Sequence, residues 1–158
     1  MSLDKFKIEK TAQSLIGHFD PQAKLEIALA DATCNINIET EISGLLIGRH
    51  GETLEALQHV LRLLISKEQE EFVPLVLDIA GYRASRQQEL EELAKNSAEK
   101  VKNFGGTEDL PSMNPYERRL IHLILQDIDG VESESFGEEP HRRIVIRPAC
   151  NTGGPKTK

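Results

Sequence analysis

Two clusters of residues in this chain could do chemistry. The first is Gly48-Arg49-His50-Gly51, set between the apolar run "ISGLLIG" and the periodic stretch "ETLEALQHVLRLLI". Two glycines three residues apart flank two side chains that can carry or donate a proton. A nucleotide-binding P-loop needs glycine, four residues, then Gly-Lys-Ser/Thr. Gly44 and Gly48 are too close for that, and Arg49-His50 stand where Lys-Ser would be. A dinucleotide-binding turn needs Gly-x-Gly directly after a strand, and neither is present. A plain helix-to-helix turn, with glycine where the backbone takes a positive φ, stays open. So does a nucleic-acid clamp. Glycines let a sugar–phosphate backbone approach closely, and the amides opening the next helix carry positive partial charge. Arg49 adds a charge and His50 a donor, while Ile47 and Leu46 would floor a groove for unpaired bases.

The second cluster is spread over "NPYERRLIH" and "PHRRIVIRP". Arg118 and His122 are four apart, so on a helix they lie within about 40° of each other. Leu120, Ile121, Ile124 and Ile128 fill a different arc. The pair is therefore expected on an exposed stripe with Gln126, beside Arg119 and with no carboxylate around it. Arg142, Arg143 and Arg147 follow in a segment without acids, whereas "VESESFGEE" before it holds Glu132, Glu134, Glu138 and Glu139. If that segment packs beside the helix, Arg118, His122 and an arginine from Arg142-Arg143 could form one phosphate-binding patch. Cross-strand pairing of the arginines with Glu132 and Glu134 is the open alternative.

The surrounding pattern supplies elements to hold these groups. Ile8, Ala12, Leu15, Ile16 and Phe19 have helical spacing over residues 4–19, stopped by Asp20-Pro21. Leu25, Ile27 and Leu29 alternate as a strand, and Cys34, Ile36 and Ile38 as another, joined by a turn at Asp31-Ala32. A short helix over 43–47 precedes the glycine loop. A helix from Glu52 to Ser66 follows, with Leu54, Leu57, Leu61 and Leu64 on one face. Residues 73–81 read as a third strand. A long polar helix over 82–104 ends at Gly105-Gly106. Asn114-Pro115 opens a last helix, with Asn as cap and Pro in the first turn. Strands over 131–136 and 142–147 close the chain. The expected division is 1–81, 82–150 and a disordered tail over 151–158.

Composition narrows the function classes. The 158 residues, 39% hydrophobic, can build one ordinary core or two small ones. No apolar run approaches the ~20 residues of a membrane span, and the first residues lack the apolar middle of a secretory signal. Cys34 and Cys150 stand far apart with no partner motif, which fits a reducing cytoplasm. A net charge of −7 argues against indiscriminate binding to phosphate polymers, and 4% aromatics argues against stacking platforms. His18, His50, His59, His122 and His141 show no metal-ligand spacing, and no Ser or Cys has a recognisable activating histidine. No enzyme activity, metal or cofactor is expected.

The element order over residues 4–81 (helix-strand-strand-helix-helix-strand) with "LLIGRHGETLEALQ" resembles a type II KH domain, whose Gly-x-x-Gly loop clamps about four nucleotides of single strand. The departure is His50, where that family often has Lys or Arg. Residues 82–148, with Arg, three residues and His on a helix followed by "SFGEEPHRRIVIRP", resemble the Arg-x-x-x-His single-stranded nucleic-acid-binding domain. The two in this order resemble the bacterial Jag (SpoIIIJ-associated) family, with its N-terminal Jag domain lacking from this sequence. The resemblance implies an α+β chain that binds single-stranded RNA without catalysis and regulates genes after transcription, with links to cell elongation and division. It implies a small KH-domain protein as partner, while the lack of a long apolar run argues against direct insertion into the membrane. Gly48, Arg49, His50, Gly51 and Ile47, then Arg118, Arg119, His122, Arg142 and Arg143, would be the contacts. Both domain types can also hold single-stranded DNA. The rival reading is a protein-interaction scaffold that uses the KH surface for a partner, with little direct RNA binding.

Overall fold

A computed structural model describes residues 4–30 and 33–149. The expected turn at Asp31-Ala32, Cys150 and the tail over 151–158 lie outside them. The fold is α+β, in two compact units that divide between Ser85 and Arg86, within the first turn of a long helix.

The first unit runs α1 (Lys5–Ile16), β1 (Lys24–Ala30), β2 (Thr33–Glu39), α2 (Ser43–Ile47), a 3-10 turn (Arg49–Gly51), α3 (Glu52–Gln69) and β3 (Leu75–Ile79). Asp4 caps α1 by accepting from the amides of Phe6 and Lys7. The helix ends at Ile16, earlier than expected. The Gly17 amide closes the last turn on Gln13 O, and the chain then tightens through His18 to Leu15 O. Phe19 is therefore off the helix and half exposed. β1 pairs antiparallel with β2, and β2 pairs parallel with β3. A parallel pair needs a long crossover, and α2, the glycine loop and α3 are that crossover. The loop's position is thus fixed by sheet topology.

Ile8, Ala12 and Ile16 of α1 meet Cys34, Ile36 and Ile38 of β2, Leu75, Leu77 and Ile79 of β3, and Leu54, Leu57, Leu61 and Ile65 of α3. The expected α3 face needs one correction. Leu64 is 39% exposed, and Ile65 is fully buried in its place. At about 100° per residue, position 65 returns to within about 20° of Leu54, and position 64 falls about 80° short.

The second unit takes the rest of α4 (Tyr82–Phe104), then β4 (Glu108–Asp109), α5 (Pro115–Gln126), β5 (Val131–Phe136) and β6 (Arg143–Pro148). The sheet order is β4-β6-β5, all antiparallel. Leu90, Ala94, Ala98 and Val101 of α4 pack with Ile121 and Leu125 of α5 and Ile144 and Ile146 of β6. A full capping box opens α5: Asn114 Oδ1 accepts from the Glu117 amide at 2.8 Å, and Glu117 Oε2 accepts from the Asn114 amide at 3.3 Å. β4 has no counterpart in the sequence pattern. It is two acidic residues that become a strand only because β6 offers them a ladder.

Candidate nucleic-acid interface

The glycine loop connects α2 to α3 through three left-handed residues. Gly48 lies at φ 70°, ψ −170°, His50 at φ 51°, ψ 27°, and Gly51 at φ 82°, ψ 9°. The Gly48 conformation belongs to glycine alone. A Cβ there would also stand 2.0 Å from Thr53 Oγ1 and 2.8 Å from Thr53 Cβ. Gly51 is buried under Tyr82, whose ring carbon would sit 3.0 Å from an added Cβ. Gly48 is thus demanded by shape, and Gly51 is favoured by its left-handed backbone and the close Tyr82 ring. Arg49 points to solvent at the tip. No side chain caps the start of α3, although Glu52 and Glu55 in its first turn offset part of the positive end of the helix. The apolar surface beside the loop differs from the sequence expectation. Leu46 is 1% exposed and belongs to the core, while Leu45 is 66% exposed. Ile47 is half-buried against the core. Leu45, which the sequence reading passed over, is the exposed apolar residue nearest the loop in sequence.

The second cluster forms an open hollow of about 390 Å³ between α5 and the strands, lined by Arg118, Arg119, His122, Gln126, Ser135 and Arg142. Arg143 is outside it. Its Nε donates to Asp109 at 2.8 Å, and its guanidinium lies 5.5 Å from the Phe136 ring centroid. Arg147 bridges Glu132 at 2.8 Å and Glu134 at 3.1 Å. That is the cross-strand pairing left open above, and the β5–β6 register puts Arg147 directly opposite Glu132.

Two expectations about Arg118 are overturned. It is not on an exposed stripe: it is 6% exposed. Nor is it free of carboxylates. One terminal nitrogen donates to Met113 O at 2.6 Å, and the other to Glu139 at 2.5 Å. The turn between β5 and β6 folds back over α5 and delivers Glu139, 21 residues away in sequence, to the guanidinium. His122 is half-buried, with Nδ1 2.8 Å from Ser133 Oγ and Nε2 2.9 Å from Ser135 Oγ. Burial pushes its pKa below the ordinary value, and the Arg118 charge adds to the effect. The ring is therefore neutral at pH 7, with one nitrogen donating to a serine and the other accepting. Arg119 and Arg142 are exposed, and among the described residues neither has an ion-pair partner.

A family model for the KH domain of KhpA/KhpB matches residues 5–76, and one for the R-3-H domain, named for its Arg-x-x-x-His motif, matches residues 88–148. The chain belongs to the family that joins these two domains. RNA-binding protein KhpB of Clostridium symbiosum is 43% identical over 112 residues, which cover 71% of this chain and 50% of that one. The protein of that name in Streptococcus pneumoniae is 30% identical over 148 residues, covering 89% of this chain and 45% of its own. The Bacillus subtilis one is 27% identical over 144 residues, covering 90% and 67%. The chain spans about half the length of the first of these relatives. In the KH domain, the glycine loop is the segment in which chain geometry and motif coincide. In the R-3-H domain, the motif pair does not stand alone: Ser133, Ser135 and Glu139 hold it. Sequence reading missed all three, because their relation to α5 exists only once β5 has folded beside it. The only advance signal was the i, i+2 spacing of the serines on one face of a strand. No described helix is long and apolar enough to cross a membrane.

Proposed function

We propose that this chain binds single-stranded RNA through both domains. The observation that carries the reading is the glycine loop. Three positive-φ residues, Gly48, His50 and Gly51, shape the loop and leave Arg49 at an open tip. A strand's phosphates would pass over Gly48–Gly51 beside Arg49 and His50, with bases toward Ile47 and Leu45. The R-3-H hollow would take further phosphates of the same or a second strand. Two weak sites on one chain gain affinity through effective concentration. The curated relatives are named as RNA-binding proteins, which favours RNA over DNA as the ligand.

The finer reading is a cytoplasmic, non-catalytic regulator that acts after transcription. It works with a small KH-domain partner and is linked to cell elongation and division. A labelled single-stranded RNA tests the binding by fluorescence anisotropy, against wild type and an Arg49→Asp, His50→Asp variant. Competition with the same sequence as DNA ranks the two polymers. Incubation of the RNA with the chain in magnesium, with no cleavage products on a gel, tests the non-catalytic part.

A further inference from the structure

The motif arginine of the R-3-H domain is expected to contact phosphate, yet its surroundings give it other work. Arg118 has both terminal nitrogens engaged and is 6% exposed. The Met113 carbonyl that it holds belongs to the residue whose amide donates to Arg142 O at 3.3 Å. Glu139, its other partner, lies in the turn that ends at Arg142. Arg118 therefore ties three pieces of chain together: the approach to α5, α5 itself and the β5–β6 turn. Charge follows the same division. Glu139 neutralises Arg118, and His122 is neutral between its serines. The net positive charge of the hollow is left to Arg119 and Arg142, which are exposed and have no ion-pair partner among the described residues.

We propose that Arg118 is a positioning residue, which fixes the β5–β6 turn so that Arg142 faces the hollow beside Arg119, and that Arg119 and Arg142 carry the phosphate. This rests on the RNA-binding reading above. An incoming phosphate meets an Arg118 that is 6% exposed and already bonded to Glu139, whose carboxylate would face the ligand. Arg119 and Arg142 need give up nothing but water.

The test uses the full chain and a fluorescein-labelled, mixed-sequence single-stranded RNA, with affinity measured by anisotropy over a potassium chloride series. The slope of log affinity against log salt counts phosphate contacts, at about 0.7 per contact for single strands. Arg119→Ala and Arg142→Ala are each expected to flatten the slope by about that amount. Arg118→Met is expected to weaken binding severalfold at every salt concentration with the slope unchanged, and Arg118→Lys to recover part of the loss.

Glu139→Gln decides the matter, because glutamine keeps the shape of this half-exposed side chain and removes only its charge. If Arg118 is a strut, the loosened turn carries Arg142 away from Arg119 and the variant weakens binding. If Arg118 is a phosphate ligand held back by Glu139, the variant tightens binding and steepens the slope, which overturns the proposal. Unchanged slopes in both Arg119→Ala and Arg142→Ala overturn it as well. A wild-type chain with no salt-dependent binding would overturn the RNA-binding reading itself, a result distinct from either of these.

Discussion

The glycine loop makes a quantitative claim about three glycines that sequence alone does not distinguish. Gly44, Gly48 and Gly51 can each be changed to alanine. At Gly48 the new Cβ meets two separate penalties. The backbone conformation costs an L-residue roughly 1–3 kcal/mol. The methyl also lands 2.8 Å from Thr53 Cβ and 3.0 Å from Thr53 N, and rotating the threonine hydroxyl away relieves neither. The start of α3 must shift, so a total of about 3 kcal/mol or more is expected.

Gly51 is in ordinary left-handed helical geometry, worth about 1–2 kcal/mol against alanine. The Tyr82 ring need only yield by a few tenths of an ångström. Gly44 sits inside α2 with nothing within 4 Å of an added Cβ, so alanine there is expected to stabilise by about 0.5–1 kcal/mol. The assay is urea unfolding of the full chain followed through the amides of Ile36 and Leu77, which report on the KH domain. At roughly 1 kcal/mol per molar urea for a domain of this size, Gly48→Ala lowers the midpoint by about 3 M, Gly51→Ala by about 1–2 M, and Gly44→Ala raises it slightly. A Gly48→Ala protein as stable as wild type, or a Gly44→Ala protein that is the worst of the three, would refute the reasoning.

Other consequences follow from single groups. His122 is held neutral in the fold, so its contribution to stability is intact above the ordinary histidine value of about 6.5. It is lost as the pH falls below that value, because the unfolded chain takes up a proton that the folded ring resists, and the loss levels off once the folded ring protonates. A pH series on wild type and His122→Gln, read at the Ile144 and Ile146 amides, should show that extra acid sensitivity in wild type only. Asn114→Ala removes one half of the capping box and should cost the R-3-H domain about 1 kcal/mol in urea unfolding. Cys34 is fully buried, and burial pushes its thiol up to about 11. In a Cys150→Ser background it should stay silent to Ellman's reagent at pH 8 until the KH domain is unfolded.

What could be read from the sequence was whatever depends on near neighbours. Alternation gave β2, because Cys34, Ile36 and Ile38 face one core; the Asn114-Pro115 start gave α5; and the charge segregation of the last two strands contained the Arg147 pairing. Long-range events were out of reach. Glu108 and Asp109 carry no strand signal of their own and pair because β6 lies beside them. The choice of Ile65 over Leu64 turned on a helix phase that a short apolar cluster leaves ambiguous. Arg118 was misread for the most instructive reason. Helix spacing correctly placed it apart from the apolar arc, but it could not show that the β5–β6 turn folds over that side and brings a carboxylate. A polar helix face is buried or exposed according to what arrives from elsewhere in the chain.

The central claim, that this chain holds single-stranded RNA through its glycine loop, is tested most directly by anisotropy of a labelled single-stranded RNA at low and moderate salt. Wild type and the Arg49→Asp, His50→Asp variant should be compared side by side. The account predicts wild-type binding that weakens with salt and is lost in the variant, while the variant's amide spectrum shows the fold unchanged. Absence of wild-type binding at low salt, or a variant that binds as wild type does, would contradict it.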